Sequence, residues 1–124
     1  MDNQDIKILV VDDEEYLLEL WEELFSILGY SILKATSGNE GIEIIKSNMI
    51  DILVTDLKMP DSDGLELLNY VRDFYTGNIK TYLCSGFLDE AKHDLSVYKL
   101  ERIISKPFKV TDELANFRKV LDLY

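Results

Sequence analysis

The chain has 124 residues, with 24 acids against 13 bases for a formal net charge of -11. That length suits one domain with its own core. A surface so acidic repels phosphate backbones and anionic headgroups, which disfavours direct nucleic-acid and membrane binding and leaves proteins or cations as partners.

The single cysteine, Cys84, cannot form an internal disulfide, "MDNQDIKILV" lacks the basic and apolar regions of a secretory signal, and no apolar run approaches the length of a membrane span. A reducing cytoplasm is the expected location. Ile6 to Val11 is a β-branched run without helical spacing and reads as a strand buried on both faces. Leu17, Leu20, Trp21, Leu24, Ile27 and Leu28 then recur at three- and four-residue spacing, which predicts an amphipathic helix with Gly29 as its left-handed C-terminal cap. "SILKA" (31 to 35) is a second strand, and Ser37 with Glu40 forms a capping box for a helix through Ile42, Ile44 and Ile45, weakened by Gly41. "IDILVT" (50 to 55) is the most apolar strand, and a helix is predicted from Leu65 to Phe74. "KTYLCS" precedes a predicted helix near Asp89 to Tyr98. "RIIS" (102 to 105) precedes a last helix, in which Leu114, Phe117, Val120 and Leu121 keep helical spacing.

Five strands alternating with five helices imply an α/β domain with a mainly parallel sheet covered on both faces, because parallel strands need crossovers. Ligands of such sheets sit beyond the carboxyl ends of the strands. Strand one ends in Asp12 and Asp13, strand three in Asp56, strand four in Ser85 and strand five in Lys106. Thr36 and Ser37, after strand two, are accounted for by capping.

Carboxylates brought to one edge repel one another by roughly 4 kcal/mol per pair at about 4 Å and an effective dielectric near 20. One lysine cannot offset that, whereas a hard divalent cation can. Mg²⁺ favours one or two carboxylates, water and phosphate oxygens, so a phosphoryl group would complete the ligand set. The matching chemistry is phosphoryl transfer to a carboxylate: Asp56 attacks, the metal bridges acid and phosphoryl oxygens, Lys106 neutralises a further oxygen and Ser85 donates a hydrogen bond.

Each residue also has a plainer explanation. Asp12 and Asp13 stand where acids complement a helix N-terminus, Asp56 and Ser85 suit turns, and Lys106 suits a solvated strand end. It is their joint occurrence at the strand ends that favours the chemistry. "DSDG" is no EF-hand, since Met59 and Tyr70 stand where that loop needs acids. Cys84 and the sole histidine, His93, lie in different segments and give little support to a nucleophilic pair.

"LVVDDE", "VTDLKMPDSDG", "CSG" and "SKPF" occur in the order and at the intervals of a known family, and from Ile6 to about Leu121 the chain resembles the receiver domain of two-component response regulators. The resemblance implies one receiver domain over 1–124, with its core at about 6–121, a flavodoxin-like doubly wound sheet in the order 2-1-3-4-5, and no output domain in this chain. It implies Asp56 as the acceptor of a phosphoryl group from a sensor histidine kinase or a histidine phosphotransfer protein. Mg²⁺ would be held by Asp13, Asp56 and the backbone carbonyl of Lys58, with Asp12 acting mostly through water. A cis peptide is implied between Lys106 and Pro107. The phosphorylated state would change a surface formed by the fourth helix, fifth strand and fifth helix, which would meet a protein target or output domain or support a phosphorylation-dependent dimer.

Such a chain is no enzyme toward outside metabolites; it catalyses only its own phosphorylation and slow dephosphorylation. Ile103 stands where many receivers carry an aromatic switch residue, and Lys58 and Phe87 stand where the family tunes phosphoryl lifetime. A phosphatase of the haloacid dehalogenase type is the enzyme rival, disfavoured because Lys58 replaces its second aspartate and a cap domain has no room. A pseudo-receiver that binds partners unphosphorylated is the third reading, and the intact acids and lysine argue against it.

Overall fold

The computed structural model describes residues 5–57, 64–86 and 94–124. Five strands, β1 (Ile8–Val11), β2 (Ile32–Ala35), β3 (Ile52–Asp56), β4 (Lys80–Ser85) and β5 (Leu100–Ser105), form one sheet in the order β2-β1-β3-β4-β5. Every neighbouring pair is parallel. Among the described residues there are four α-helices, α1 (Glu15–Ile27), α2 (Gly38–Ser47), α3 (Gly64–Phe74) and α4 (Val110–Leu121). The sheet order agrees with expectation, but the helix count differs. In the segment expected to form a helix over 89–98, residues Leu95–Val97 make a short 3₁₀ turn started by Asp94, whose carboxylate accepts from the Ser96 N–H at 3.0 Å, and 89–93 lie outside the described residues. Asp94 and Ser96 bond locally in a way that competes with a regular helix.

Why the strands read as continuous apolar runs is visible in their burial: all of β1 and all of β3 are buried, including Asp56. One face of the sheet offers Ile8, Val10, Ile52, Val54, Tyr82 and Ile104 to α1 and α4. There Phe117 packs against Trp21, Phe25 and Tyr82 at centroid separations of 5.7, 5.1 and 4.8 Å. The other face offers Leu9, Val11 and Leu53 to Ile45 and Leu67, with a separate cluster of Leu57, Leu68 and Leu83 beside Leu95 and Leu100.

Local signals act largely as the residue types dictate. Gly29 has φ 96°, and the bonds Tyr30 N–H to Phe25 O and Gly29 N–H to Ser26 O close α1 as a Schellman cap. The Ser37 hydroxyl accepts from the Glu40 N–H at 3.1 Å, while the Glu40 carboxylate accepts from Thr36, so the expected box is shared with a neighbour. The stripe of α1 is rotated from expectation: Leu18 and Phe25 are buried and Ile27 is exposed. The helix turns those side chains toward the aromatic cluster around Phe117. β3 runs one residue further than expected and so carries Asp56 as its final member. The Lys106–Pro107 peptide is cis.

Candidate functional site

The strand ladders set the site. Asp12 follows β1 and extends its pairing, its N–H bonding the Ala35 carbonyl at 3.0 Å. Asp56 lies opposite Cys84 in the β3–β4 register, and the Lys106 N–H reaches the Ser85 carbonyl at 3.0 Å one residue beyond β5. Parallel pairing in this order brings the ends of β1, β3, β4 and β5 to one edge.

Side chains from Asp12, Asp13 and Asp56 each offer a carboxylate oxygen within 4.8 Å of the others. Lys106 Nζ lies 2.8 Å from Asp56 Oδ2 and 3.5 Å from Asp12 Oδ2. Asp12 and Asp56 are buried, and Ser85 is fully buried, its Oγ without a hydrogen-bond partner among the described residues. A buried hydroxyl without a partner costs stability, and this one follows directly on the strand position opposite Asp56.

Burial pushes the Asp12 carboxyl up to about 6; the Glu14 N–H and Lys106 oppose the rise, while Asp56 and Asp13 add to it. Burial works against the Lys106 ammonium, but its hydrogen bond to Asp56 and the charges of Asp56 and Asp12 outweigh that and raise its pKa above the ordinary lysine value. The lysine is therefore a fixed cation that, among the described residues, faces three carboxylates. Three hard oxygen donors in that state fit a small divalent cation with open coordination positions.

Asp12, Asp13, Asp56, Ser85 and Lys106 are thus brought together. Lys58, Met59, Pro60, Phe87 and His93 lie outside the described residues. The plainer explanation holds in part for Asp12: α1 takes Glu14 as its N-cap with no side-chain cap bond, and Asp12 Oδ1 accepts the Glu14 N–H at 2.9 Å, a helix-start role compatible with the site. That turn, which orients the Asp12 carboxylate, went unnoticed in the sequence, although an aspartate bonding two residues ahead is a known local habit. Gly64 contributes by close approach: a Cβ there would collide with the Asp56 carbonyl oxygen and Leu57 Cα, so only glycine lets α3 begin against the end of β3. Burial pushes the Cys84 thiol up to about 12, which makes it a core residue and no nucleophile.

A five-stranded parallel sheet whose carboxyl edge gathers paired acids, a buried aspartate, a serine and a lysine defines a doubly wound α/β domain with an acidic site at its strand ends. The family model of the response regulator receiver domain matches residues 8–117, and the chain belongs to that family, the receiver domains of two-component response regulators. It is 31% identical over 121 residues to the transcriptional regulatory protein DltR of Streptococcus agalactiae, covering 91% of this chain and 50% of that protein. The chain thus spans about half the length of that relative. Among solved structures, a CheY-like receiver domain from Methanospirillum hungatei superposes with TM-score 0.81 at 27% identity, covering 95% of this chain and 94% of that one. The response regulator TrrA of Thermotoga maritima, solved in complex with Mg²⁺-BeF, gives TM-score 0.78 at 32% identity over 94% of this chain and 98% of its own. Among the described residues no helix is long and apolar enough to cross a membrane.

Proposed function

We propose that Asp56 is the phosphoacceptor of this receiver domain and that Asp12, Asp13, Asp56 and the Lys58 carbonyl hold Mg²⁺ during transfer. When bound, the ion supplies positive charge against the phosphoryl oxygens. An Asp56 carboxylate oxygen forms the new bond to phosphorus while the bond from phosphorus to the donor histidine nitrogen breaks, and the imidazole leaves with the electron pair. Lys106 holds the carboxylate in place beforehand and pairs with a phosphoryl oxygen afterwards, and the Ser85 hydroxyl donates a hydrogen bond to another. Support comes above all from one observation, the buried Asp56 carboxylate 2.8 Å from the Lys106 ammonium with two further acids in reach.

The donor is a sensor histidine kinase or a phosphotransfer protein. The output partner is a protein or domain that meets the face formed by the 95–98 turn, β5 and α4, where Val97 and Ile103 are exposed. Nucleic acid and membrane are no direct partners of this acidic surface, and the setting is the cytoplasm. Turnover is confined to the chain's own phosphorylation and slow dephosphorylation.

The test is to incubate the protein with a small acyl-phosphate donor with and without Mg²⁺ and to weigh the intact chain. One added phosphoryl group that needs Mg²⁺ and disappears in Asp56→Asn is the expected result. No adduct refutes the proposal in favour of an unphosphorylated binding module, and fast repeated hydrolysis of a phosphoester refutes it in favour of a phosphatase.

A further inference from the structure

At the opposite end of the sheet from the carboxylates, a cavity of about 350 Å³ opens between the last turns of α3, the start of β4 and the segment leading into β5. Its volume lies at the small end of the range for ligand pockets. Leu68 and Thr81, both buried, contribute to its wall. Two tyrosines line it, and both are pinned by their hydroxyls. Tyr75 OH donates to the Ile50 carbonyl at 2.8 Å and accepts from the Ile50 N–H at 2.9 Å, and Tyr98 OH donates to Asn69 Oδ1 at 2.6 Å. Aromatic walls fixed in this way bind a flat group with little ordering cost.

The remaining lining chemistry has one sign. Among the described residues Arg72 and Lys99 are the charged members of the lining, with no acid between them, although the chain as a whole carries -11. The Arg72 guanidinium lies 5.2 Å from the Tyr98 ring centre, and its Nε and Nη2 bond the neighbouring Asp73. Asp73 already offsets part of that charge, so the pair of cations suits one negative charge better than a polyphosphate. A cavity of this size with two tethered tyrosines and two cations on an acidic molecule is matched by a small anion with a flat apolar body.

We propose that this cavity binds a small aromatic monocarboxylate, its ring against Tyr75 and Tyr98 and its carboxylate on Arg72 and Lys99. The site is separate from the phosphoacceptor edge, so binding is read without phosphorylation and does not depend on that proposal.

The test titrates ¹⁵N-labelled full chain with 3-phenylpropionate and, separately, with its uncharged amide, following backbone amide resonances. The expected result is saturable shifts at Gly77, Thr81 and Leu100 with the acid, and binding of the amide weaker by about tenfold or more. Arg72→Met and Lys99→Met should each weaken the acid several-fold and leave the amide unchanged, while both variants keep the wild-type amide spectrum elsewhere. Equal binding of acid and amide, shifts centred on Asp12, Asp56 and Lys106, or no shift with the acid at about 10 mM would each overturn the proposal.

Discussion

β5 and the residue that follows it supply a cation to each of two buried charge clusters, and the two are built to opposite ends. Arg102 meets Glu113 of α4 in a two-pronged pair at 2.5 and 3.2 Å, with its guanidinium 5.7 Å from the ring centres of both Tyr82 and Phe117. One acid faces one base, and the geometry satisfies both. Four residues on, Lys106 meets Asp56 and Asp12 together, with Asp13 close behind. There the acids outnumber the base and Ser85 Oγ lacks a partner among the described residues. A balanced pair ties β5 to α4, whereas the unbalanced one leaves clustered carboxylates that could hold a metal ion. Local imbalance of charge, rather than burial of charge, is what separates the site from the scaffold.

Breaking the balanced pair should give the largest effect. Glu113→Ala leaves Arg102 facing apolar rings without its acid, and it should lower the unfolding free energy by about 2–4 kcal/mol, tempered because a third of the Arg102 side chain reaches water. Urea unfolding checks this, and a loss below about 1 kcal/mol would remove the structural role given to the pair.

Relieving the unbalanced cluster should act in the opposite direction. Asp12→Asn keeps an oxygen for the Glu14 N–H but deletes a charge that burial disfavours, so metal-free protein at pH 7 should gain about 1–2 kcal/mol. The sign follows from the raised pKa. The folded protein holds the Asp12 proton up to about 6 and the unfolded chain releases it near 3.8, so this group's contribution is fully present below 3.8 and is lost as pH rises to about 6. Wild type and variant should therefore match at pH 4 and separate by pH 7, with Mg²⁺ affinity of the wild type rising through the same window because the ion competes with the proton. Unfolding curves across pH, with and without Mg²⁺, measure both; a constant gap would show that Asp12 is not the titrating group.

Finer contrasts sharpen the comparison. Arg102→Lys keeps the charge but loses the planar fork and its stacking, and should cost about 1 kcal/mol in the same unfolding assay. Lys34→Ala removes an exposed pair with Glu22 at 3.1 Å and should change stability by less than about 0.5 kcal/mol. A surface pair with a larger effect than Arg102→Lys would contradict the weight placed on burial.

The chain order of the strands, four of the five strand ends and the five residues that meet at the sheet edge were written in local patterns, whereas β3 runs one residue past its expected end and a 3₁₀ turn lies within the segment expected as the fourth helix. Apolar runs without helical spacing specified strands buried on both faces, Gly29 and Ser37 specified helix ends, and parallel topology then required the strand-end residues to meet. Other features depended on partners distant along the chain. The rotation of α1 that buries Phe25 and exposes Ile27 follows from the aromatic cluster around Phe117, about ninety residues away. The pairing of Arg102 with Glu113, the full burial of the Ser85 hydroxyl and the collision that reserves Gly64 for glycine arise where separate elements close on one another. The 3₁₀ turn at Leu95–Val97 shows Asp94 and Ser96 bonding locally within the segment read as a helix near Asp89 to Tyr98. Periodicity records which way a side chain must face, because burial of apolar area is additive along an element. Which groups finally touch is a property of the packed whole, set by shape and charge that no single segment contains.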